Sequence, residues 1–258
     1  MTRRLALLPL AFLATVSLVL AACGSPPSAP ALTDPKDIVA KGVASLADVK
    51  SFEFTGTFSG TVAASQLGSF DLSDVKLAGA VDVTGRTMKV NLDAPALLGT
   101  KVDAIVVGDT AYYKLAGALA TVVGGGRADK YTKLALPTAS GEPLAAMTDV
   151  TKLVAQLQDV LAKLPSPLTR AADERCNDAD CYHVSTVLSA AQLQALGAGA
   201  EVDGDVTVDL WTRKTDYRPA KIGLAVASPG LGSFGVTVEL RYDVGVSVAA
   251  PPADQIAP

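Results

Sequence analysis

The chain has 258 residues, and its 22 Lys and Arg stand against 26 Asp and Glu, which gives a formal net charge of -4 at pH 7. Nucleic-acid binding depends on clustered Lys and Arg that displace counterions from phosphates. An acidic chain lacks that electrostatic footprint, and we expect no nucleic-acid partner.

The N-terminus has the organisation of an export signal. Two arginines precede an apolar segment, residues 5–20, which is shorter than the roughly 20 residues that a membrane-spanning helix needs. The segment runs into Leu-Ala-Ala-Cys at residues 20–23, which resembles the lipobox of bacterial lipoproteins, where the cysteine receives a diacylglycerol and becomes the new N-terminus. We predict that residues 1–22 are cleaved and that a lipidated Cys23 holds the protein on the extracytoplasmic side of the cell membrane. The alternatives are an ordinary cleaved signal with a coincidental cysteine and an uncleaved signal anchor.

The residues after the cysteine are rich in Gly, Ser, Pro and Ala and cannot pack a core. Residues 23–33 are therefore predicted to form the lipidated cysteine and a flexible tether. No comparable break follows, so residues 34–250 are predicted to be a single domain. Residues 251–258 are predicted to be a disordered tail.

The first part of the domain changes from a helical to an alternating pattern. Asp34 and Pro35 form a helix start, and apolar residues at helical spacing predict a helix over about 35–48. In the stretch SFEFTGTFSGTV, which follows, the aromatic residues point to one face and the polar residues to the other. Further alternating segments predict strands over about 70–83, 86–94 and 101–115.

The middle of the chain contains a predicted helix and a pair of cysteines. An apolar stripe over 144–165 predicts an amphipathic helix that Pro165 ends. Cys176 and Cys181 are predicted to form a disulfide, since disulfides persist in exported proteins. The alternative is half of a metal site, but His183 is the only histidine in the chain, so a second pair of ligands is lacking. We predict no metal and no cofactor.

The last part of the chain returns to the alternating pattern. After a short predicted helix over 190–196, strands are predicted over 203–212, 218–227 and 233–248. The fifteen alternating residues from 234 to 248 would extend about 50 Å at roughly 3.3 Å each, longer than usual strands, so this strand must bend. The pattern predicts a large antiparallel sheet, polar on one side, that curls into a trough with an apolar concave side.

The trough has few helices to fill it. Its apolar residues are mostly small, and aromatic residues make up 5% of the chain. An underfilled apolar surface predicts a cavity for a lipid-like ligand. The alternative is a closely packed core without a cavity.

The order of these features resembles the LppX/LprG (LppX_LprAFG) family of exported lipoproteins, related in architecture to the LolA-like carriers. The resemblance runs from about Asp34 to Val248. It rests on the lipobox, on the helix before DVKSFEFTGTFSG, on the central helix, and on CYHVSTVLSAAQLQALG followed by VTVDLWTRKTDYRPAKIGLAV. The cysteine pair departs from the family pattern.

The resemblance implies an α+β fold: a strongly bent antiparallel β half-barrel with a few helices on its concave face, enclosing an apolar cavity. The cavity would take acyl chains of envelope lipids or lipoglycans. We expect polar segments 117–130 and 165–180 to act as lids. The lining is predicted to comprise Phe52, Phe54, Phe58, Val90, Leu92, Leu153, Leu157, Leu161, Val208, Val236 and Val238.

No pattern predicts catalysis. The stretch LGSFG at 231–235 lacks the first glycine of a nucleophile elbow, and His183 lies in a strand pattern. Gly-Gly-Gly-Arg at 124–127 lacks the Lys and Ser/Thr of a phosphate loop. The acidic residues over 201–209 alternate along a strand and form no closing calcium loop, so a solvated sheet face is favoured. We expect a protein that is not an enzyme.

The sequence thus favours a membrane-anchored lipoprotein that binds acyl chains and assists their transport from the plasma membrane. We expect a monomer, with a membrane transporter as a further candidate partner. The alternative is a structural or interaction lipoprotein of the cell envelope that carries no lipid.

Overall fold

A computed structural model describes residues 31–64, 68–118, 120, 130–136, 155, 158–159, 167–195, 203–230 and 232–257. In these parts of the chain, antiparallel strands dominate. The helices whose bounds the structure gives are α1 (Pro35–Ser45) and α2 (Ala190–Ala195), with 3-10 turns at Leu46–Asp48 and Ala253–Gln255. The strands are β1 (Ser51–Ala64), β2 (Gly68–Asp71), β3 (Lys76–Asp82), β4 (Thr87–Ala94), β5 (Thr100–Val107), β6 (Thr110–Ala116), β7 (Thr132–Ala135), β8 (Thr169–Arg170), β9 (Glu174–Cys176), β10 (Ala179–Leu188), β11 (Asp205–Arg213), β12 (Pro219–Ser228) and β13 (Gly232–Tyr242).

The described strands form one sheet in the order β7-β6-β5-β4-β3-β1-β13-β12-β11-β10-β8. β2 pairs with the far end of β1, and β9 pairs with β10. The path ends at β7 on one side and at β8 on the other, so the described sheet is open. It is a curved half-barrel of the α+β class, as the sequence predicted.

The two faces of the sheet differ in chemistry because the alternation in each strand stays in register with its neighbours. Residues directly opposite each other in an antiparallel pair place their side chains on the same face. Across β13, β1 and β3, for example, Leu240 faces Phe54, and Phe54 faces Gly79. We call this side the apolar face and the opposite side the polar face.

Helix α1 covers one end of the apolar face. The Asp34 side chain caps the helix by accepting a hydrogen bond from the Lys36 N–H at 2.8 Å, and Pro35 occupies the first turn. The buried side of α1, with Ile38 fully inaccessible, packs against Tyr182 and Val184 of β10. The helix is therefore anchored by burial of its apolar stripe.

The cysteine pair closes the β9–β10 hairpin, at the same end of the sheet. Cys176 of β9 and Cys181 of β10 form a disulfide, with their Cα atoms 5.9 Å apart. The turn between the two strands contains Asn177 and Asp178. Both cysteines are buried against Trp211 and Ala220. The predicted bridge is thus present, and it joins two adjacent strands.

The predicted strand over 233–248 is too long. β13 ends at Tyr242, which pairs with Phe52 near the start of β1. Asp243 then adopts a left-handed conformation, with φ of 54°, and its N–H donates to Ser51 O at 2.9 Å. The strand stops here because β1 begins at Ser51 and offers no further partner.

The predicted disordered tail is ordered as far as Ala257. The N–H of Tyr131 donates to Gln255 O, and the N–H of Ala257 donates to Tyr131 O, both at 2.8 Å. Ile256 and Val248 also pack on a cluster that contains Tyr131, together with Ile105 and Tyr112. An apolar cluster on the polar face holds the segment in place.

Three further expectations need correction. The segment 70–83 is not one strand, because a turn with buried Leu72 and Val75 separates β2 from β3. The segment 101–115 is a hairpin of two strands, β5 and β6. The predicted lid over 165–180 is wrong for its described part, which forms β8, β9 and the disulfide-closed turn. The other predicted lid, over 117–130, lies largely outside the described residues.

Candidate functional site

The predicted lining residues of the sheet all lie on the apolar face. One row of paired residues crosses five strands: Thr186 faces Val208, Val208 faces Leu224, Leu224 faces Val236, and Val236 faces Phe58. We call this set the central row. Neighbouring strands lie about 4.8 Å apart, so the row is about 19 Å long. It contains three of the predicted residues and no charged side chain.

The other predicted sheet residues belong to parallel rows of the same face. Val238 lies two positions from Val236 on β13, and Leu92 joins its row through β1 and β3. Phe54 and Val90 share the next row, on either side of Gly79. Phe52 belongs to the row after that. Leu153, Leu157 and Leu161 lie outside the described residues, and the contact of all these side chains with lipid stays a prediction.

The β1–β6 part of the apolar face is packed. Phe54, Val81, Met88 and Val106 form a buried cluster that Phe52, Val90 and Val238 border. The Phe54 ring lies so close over Gly79 that a methyl group there would come within 2.2 Å of Cζ. Phe58 and Leu92 border a second cluster, formed by the buried residues Leu72, Val75 and Ala94. These parts of the face belong to the core.

The middle of the apolar face is more open. Val208, Leu224 and Val236, with Ile222 and Val226 beside them, belong to none of the buried clusters within the described part of the chain. Leu224 has 40% of its surface exposed. An apolar surface between two packed regions is the kind of feature that marks a binding groove.

The polar side chains on the apolar face include two threonines whose hydroxyl groups are unpartnered in the described part of the chain. Thr186 and Thr212 are 7% and 0% exposed, and their hydroxyl oxygens have no hydrogen-bond partner within the described residues. Thr212 lies beneath α1. A Cβ atom added to Gly42 of that helix would lie 3.3 Å from Thr212 Oγ1. Sequence reasoning missed both, because a threonine in an alternating strand is an ordinary residue until its burial is known.

A cluster of interacting polar and aromatic side chains lies on the polar face, around His183. Its Nε2 lies 2.8 Å from Asp209 Oδ1, and its Nδ1 lies 3.1 Å from Glu174 Oε1, although outside hydrogen-bonding geometry. The Trp211 indole N–H donates to Glu174 Oε2 at 3.0 Å. Lys221 Nζ lies 3.7 Å from the centre of the Trp211 ring. We call Glu174, His183, Asp209, Trp211 and Lys221 the His183 cluster.

The His183 cluster explains the acidic strand pattern. Asp209 points to the polar face and contacts His183, whereas Asp203 interacts with Ser228. In the described parts of the chain, no group of three or more His, Cys, Asp or Glu side chains is arranged to hold a metal ion. Asp209 of β11 and Asp203, which precedes the strand, are therefore used in side-chain contacts.

A cleft of about 450 Å³ lies beside the disulfide-closed hairpin. Glu53, Glu239 and Arg241 contribute to one wall, and Asn177 and Asp178 of the hairpin turn contribute to another. Its lining is mixed in charge, and Arg241 Nη1 lies 3.7 Å from Glu53 Oε2. The cleft thus combines charged side chains with apolar ones such as Phe54 and Leu240, whereas no charged side chain belongs to the central row.

Tyr242 borders the same cleft from the end of β13. Its hydroxyl is buried without a hydrogen-bond partner among the described residues, and burial raises the pKa of the phenol well above its usual value. The guanidinium groups of Arg213 and Arg218 each lie 5.5 Å from the ring centre. The ring is therefore held by cation–π contacts.

The fold and the apolar face define a class of protein: open, curved half-barrels of the α+β type. Among solved structures, lipoprotein LppX from Mycobacterium tuberculosis superposes with a TM-score of 0.53 at 12% identity, over 83% of this chain and 98% of that one. LprF from Mycobacterium bovis superposes with a TM-score of 0.52 at 15% identity, over 84% and 96%. The resemblance to LppX/LprG-type lipoproteins is confirmed at the level of the fold. No protein-family model and no curated protein matches the sequence.

Proposed function

We propose that the protein is a lipid-anchored lipoprotein on the extracytoplasmic side of the cell membrane, and that it binds acyl chains of envelope lipids or lipoglycans on its apolar face. It acts as a carrier that assists their transport from the plasma membrane, and not as an enzyme. The observation that carries the proposal is the central row, an apolar track with a half-open middle between two packed regions.

The chemistry of the row suits an acyl chain. Burying a methylene group contributes about 0.8 kcal/mol, so a chain that lies along the row gains most of its binding free energy from burial. No charged side chain belongs to the row, and a charged group would therefore lose its hydration there without a partner. A chain is accommodated, while a headgroup stays outside the row.

The N-terminal sequence supports the location. Cys23 at the end of a short apolar segment fits a lipidation site, and two or more acyl chains hold a protein stably on a membrane. Within the described residues, no helix has both the length and the apolarity to cross a membrane. The tether of ten residues after Cys23 extends at most about 35 Å, which limits how far the domain can lie from the membrane surface.

The fold supports a lipoprotein of the same architecture. LppX is a lipoprotein by name, and the present chain shares the fold of LppX and LprF over most of its length. A membrane transporter is a candidate partner for the release step, and the carrier is expected to act as a monomer.

Lipid extraction tests the proposal. The full chain is expressed with its leader in a bacterial host, purified in mild detergent, and extracted with chloroform and methanol. This treatment releases bound lipid and leaves covalent acyl chains on the protein. We expect about one equivalent of acyl lipid by mass spectrometry. An extract without lipid, together with retained binding to an envelope protein, would favour the interaction lipoprotein.

A further inference from the structure

The buried, unpartnered hydroxyl of Thr186 sets it apart from the rest of the central row. Its residue is 7% exposed, and Oγ1 has no hydrogen-bond partner within the described part of the chain. An unmade hydrogen bond in an apolar environment is costly, and native structures satisfy nearly all such groups with protein, water or ligand. The Thr186 hydroxyl is therefore expected to form its hydrogen bond with a group that the described residues do not provide.

Thr212 is the natural comparison, because it is also a buried threonine on the apolar face without a partner for its hydroxyl. Its position under Gly42 of α1 makes it part of a packed helix–sheet contact. Thr186 instead lies directly opposite Val208, in the row that leads to the exposed Leu224. Two strand steps separate Thr186 from Leu224, a distance of about 10 Å.

The residues around Thr186 indicate which kind of hydrogen-bond acceptor its hydroxyl can bind. On the neighbouring strand β8, Arg170 lies opposite Val184, two residues away, but its guanidinium donates to both carboxylate oxygens of Asp173 at 2.8 and 3.0 Å. That cation is already paired, so an anionic carboxylate would not find a free positive charge on Arg170. A neutral acceptor fits the site better.

We propose that the Thr186 hydroxyl donates a hydrogen bond to the ester carbonyl of a bound acyl lipid. The inference rests on the proposed function and specifies its substrate class, a lipid with a neutral acyl ester. The carbonyl lies at the β10 end of the central row, and the acyl chain runs across β11 and β12 towards Phe58 on β1. The row thus fixes the direction of the chain as well as its burial.

Two probes that differ in the carbonyl test the inference: monopalmitoylglycerol and its ether analogue hexadecylglycerol. Their affinities are measured by displacement of a fluorescent fatty-acyl probe from the full chain. We expect Thr186→Val to weaken ester binding about three- to tenfold and to leave ether binding unchanged. Thr186→Ser should restore ester binding, because it keeps the hydroxyl.

Thr212→Val is the matched control and should change neither affinity. Three outcomes would overturn the inference and leave the proposed function standing. Thr186→Val could lose affinity equally for both probes, or it could keep the wild-type affinity for the ester. Thr212→Val could show the same ester-specific loss. Wild-type protein that binds neither probe would overturn the proposed function and the inference with it. Circular dichroism melts of each variant confirm that the folded protein is measured.

Discussion

His183 and Trp211 stack face to face on the polar side of the sheet, with ring centres 4.3 Å apart and planes inclined by 15°. They occupy opposite positions on β10 and β11, and Lys221 follows in the same row on β12. Glu174 of β9 contacts both rings. The only histidine and the only tryptophan of the chain are thus held together by a strand that the disulfide fastens to the sheet.

The disulfide is expected to stabilise both the fold and this stack. Replacing Cys176 and Cys181 by serine should lower the free energy of unfolding by about 2 kcal/mol, because the unfolded chain is no longer closed into a short loop. Urea denaturation followed by Trp211 fluorescence measures the effect. In the variant, reductant should leave the midpoint unchanged, whereas in the wild type it should lower the midpoint. Equal wild-type midpoints with and without reductant would contradict this role.

The close approach of Phe54 to Gly79 makes a second prediction. Gly79→Ala should destabilise the protein by about 1 to 3 kcal/mol, because the added methyl group would overlap the Phe54 ring. Gly245→Ala is the control, since nothing lies within 4 Å of its added Cβ. Thermal unfolding compares the two. Similar melting temperatures for both variants would show that the ring can move aside without cost.

Asp173 is expected to contribute a pH-dependent stability. Partial burial works to raise the pKa of its carboxyl group, but hydrogen bonds and charges from Lys214 and Arg170 outweigh burial, and the pKa is lowered. A lowered folded-state pKa means that the stabilisation is complete above the unfolded value of about 3.9 and is lost as the pH falls through the folded-state value. The contribution should be below about 1 kcal/mol, since these side chains are partly exposed.

To test the role of Asp173, the free energy of unfolding of the wild type and of Asp173→Asn is measured from pH 7 to strongly acidic conditions. Asp173→Asn should be less stable than the wild type near neutral pH, and the two should converge at the acidic end. Asp178 forms no ion pair within the described residues. The Asp178→Asn control should therefore show the same dependence of stability on pH as the wild type. A constant gap between Asp173→Asn and wild type at every pH would refute the linkage.

Lipidation of Cys23 is a prediction of the sequence. Cys23→Ser should abolish incorporation of a labelled palmitate analogue during growth, because the thiol is the attachment point. Ser25→Ala, two residues further on, should label as the wild type does. Labelled protein in the Cys23→Ser variant would show that the acyl group is attached elsewhere.

The alternation of apolar and polar residues made the sheet predictable, since a half-buried antiparallel strand needs that pattern. It also placed Phe58, Val208 and Val236 on one face, and the register then brought them into one row. The pattern did not predict where β13 ends. The residues 244–248 continue the alternation, but an extended chain becomes a strand only where a neighbour offers hydrogen bonds, and β1 offers none beyond Ser51.

The contacts between distant segments could not be predicted from the sequence. The stack of His183 on Trp211 depends on the register of β10 and β11, which pairs two residues more than twenty positions apart in the sequence. The contact of Asp209 with His183 depends on the same register. The significance of Thr186 depends on burial, which periodicity does not reveal. The docking of Ile256 beside Tyr131 likewise joins two segments that carry no common pattern.

The central claim is that acyl lipid binds to the open middle of the apolar face. Leu224 and Val187 are both exposed apolar residues on neighbouring parts of the sheet, at 40% and 52%, but Leu224 lies on the apolar face and Val187 on the polar face. The most direct measurement is the amount of lipid extracted per protein from Leu224→Lys and Val187→Lys. We predict that Leu224→Lys yields at least about tenfold less lipid per protein, because a bound acyl chain would bury the lysine's charge. Val187→Lys should yield the wild-type amount. Wild-type lipid content in a folded Leu224→Lys protein would contradict the account.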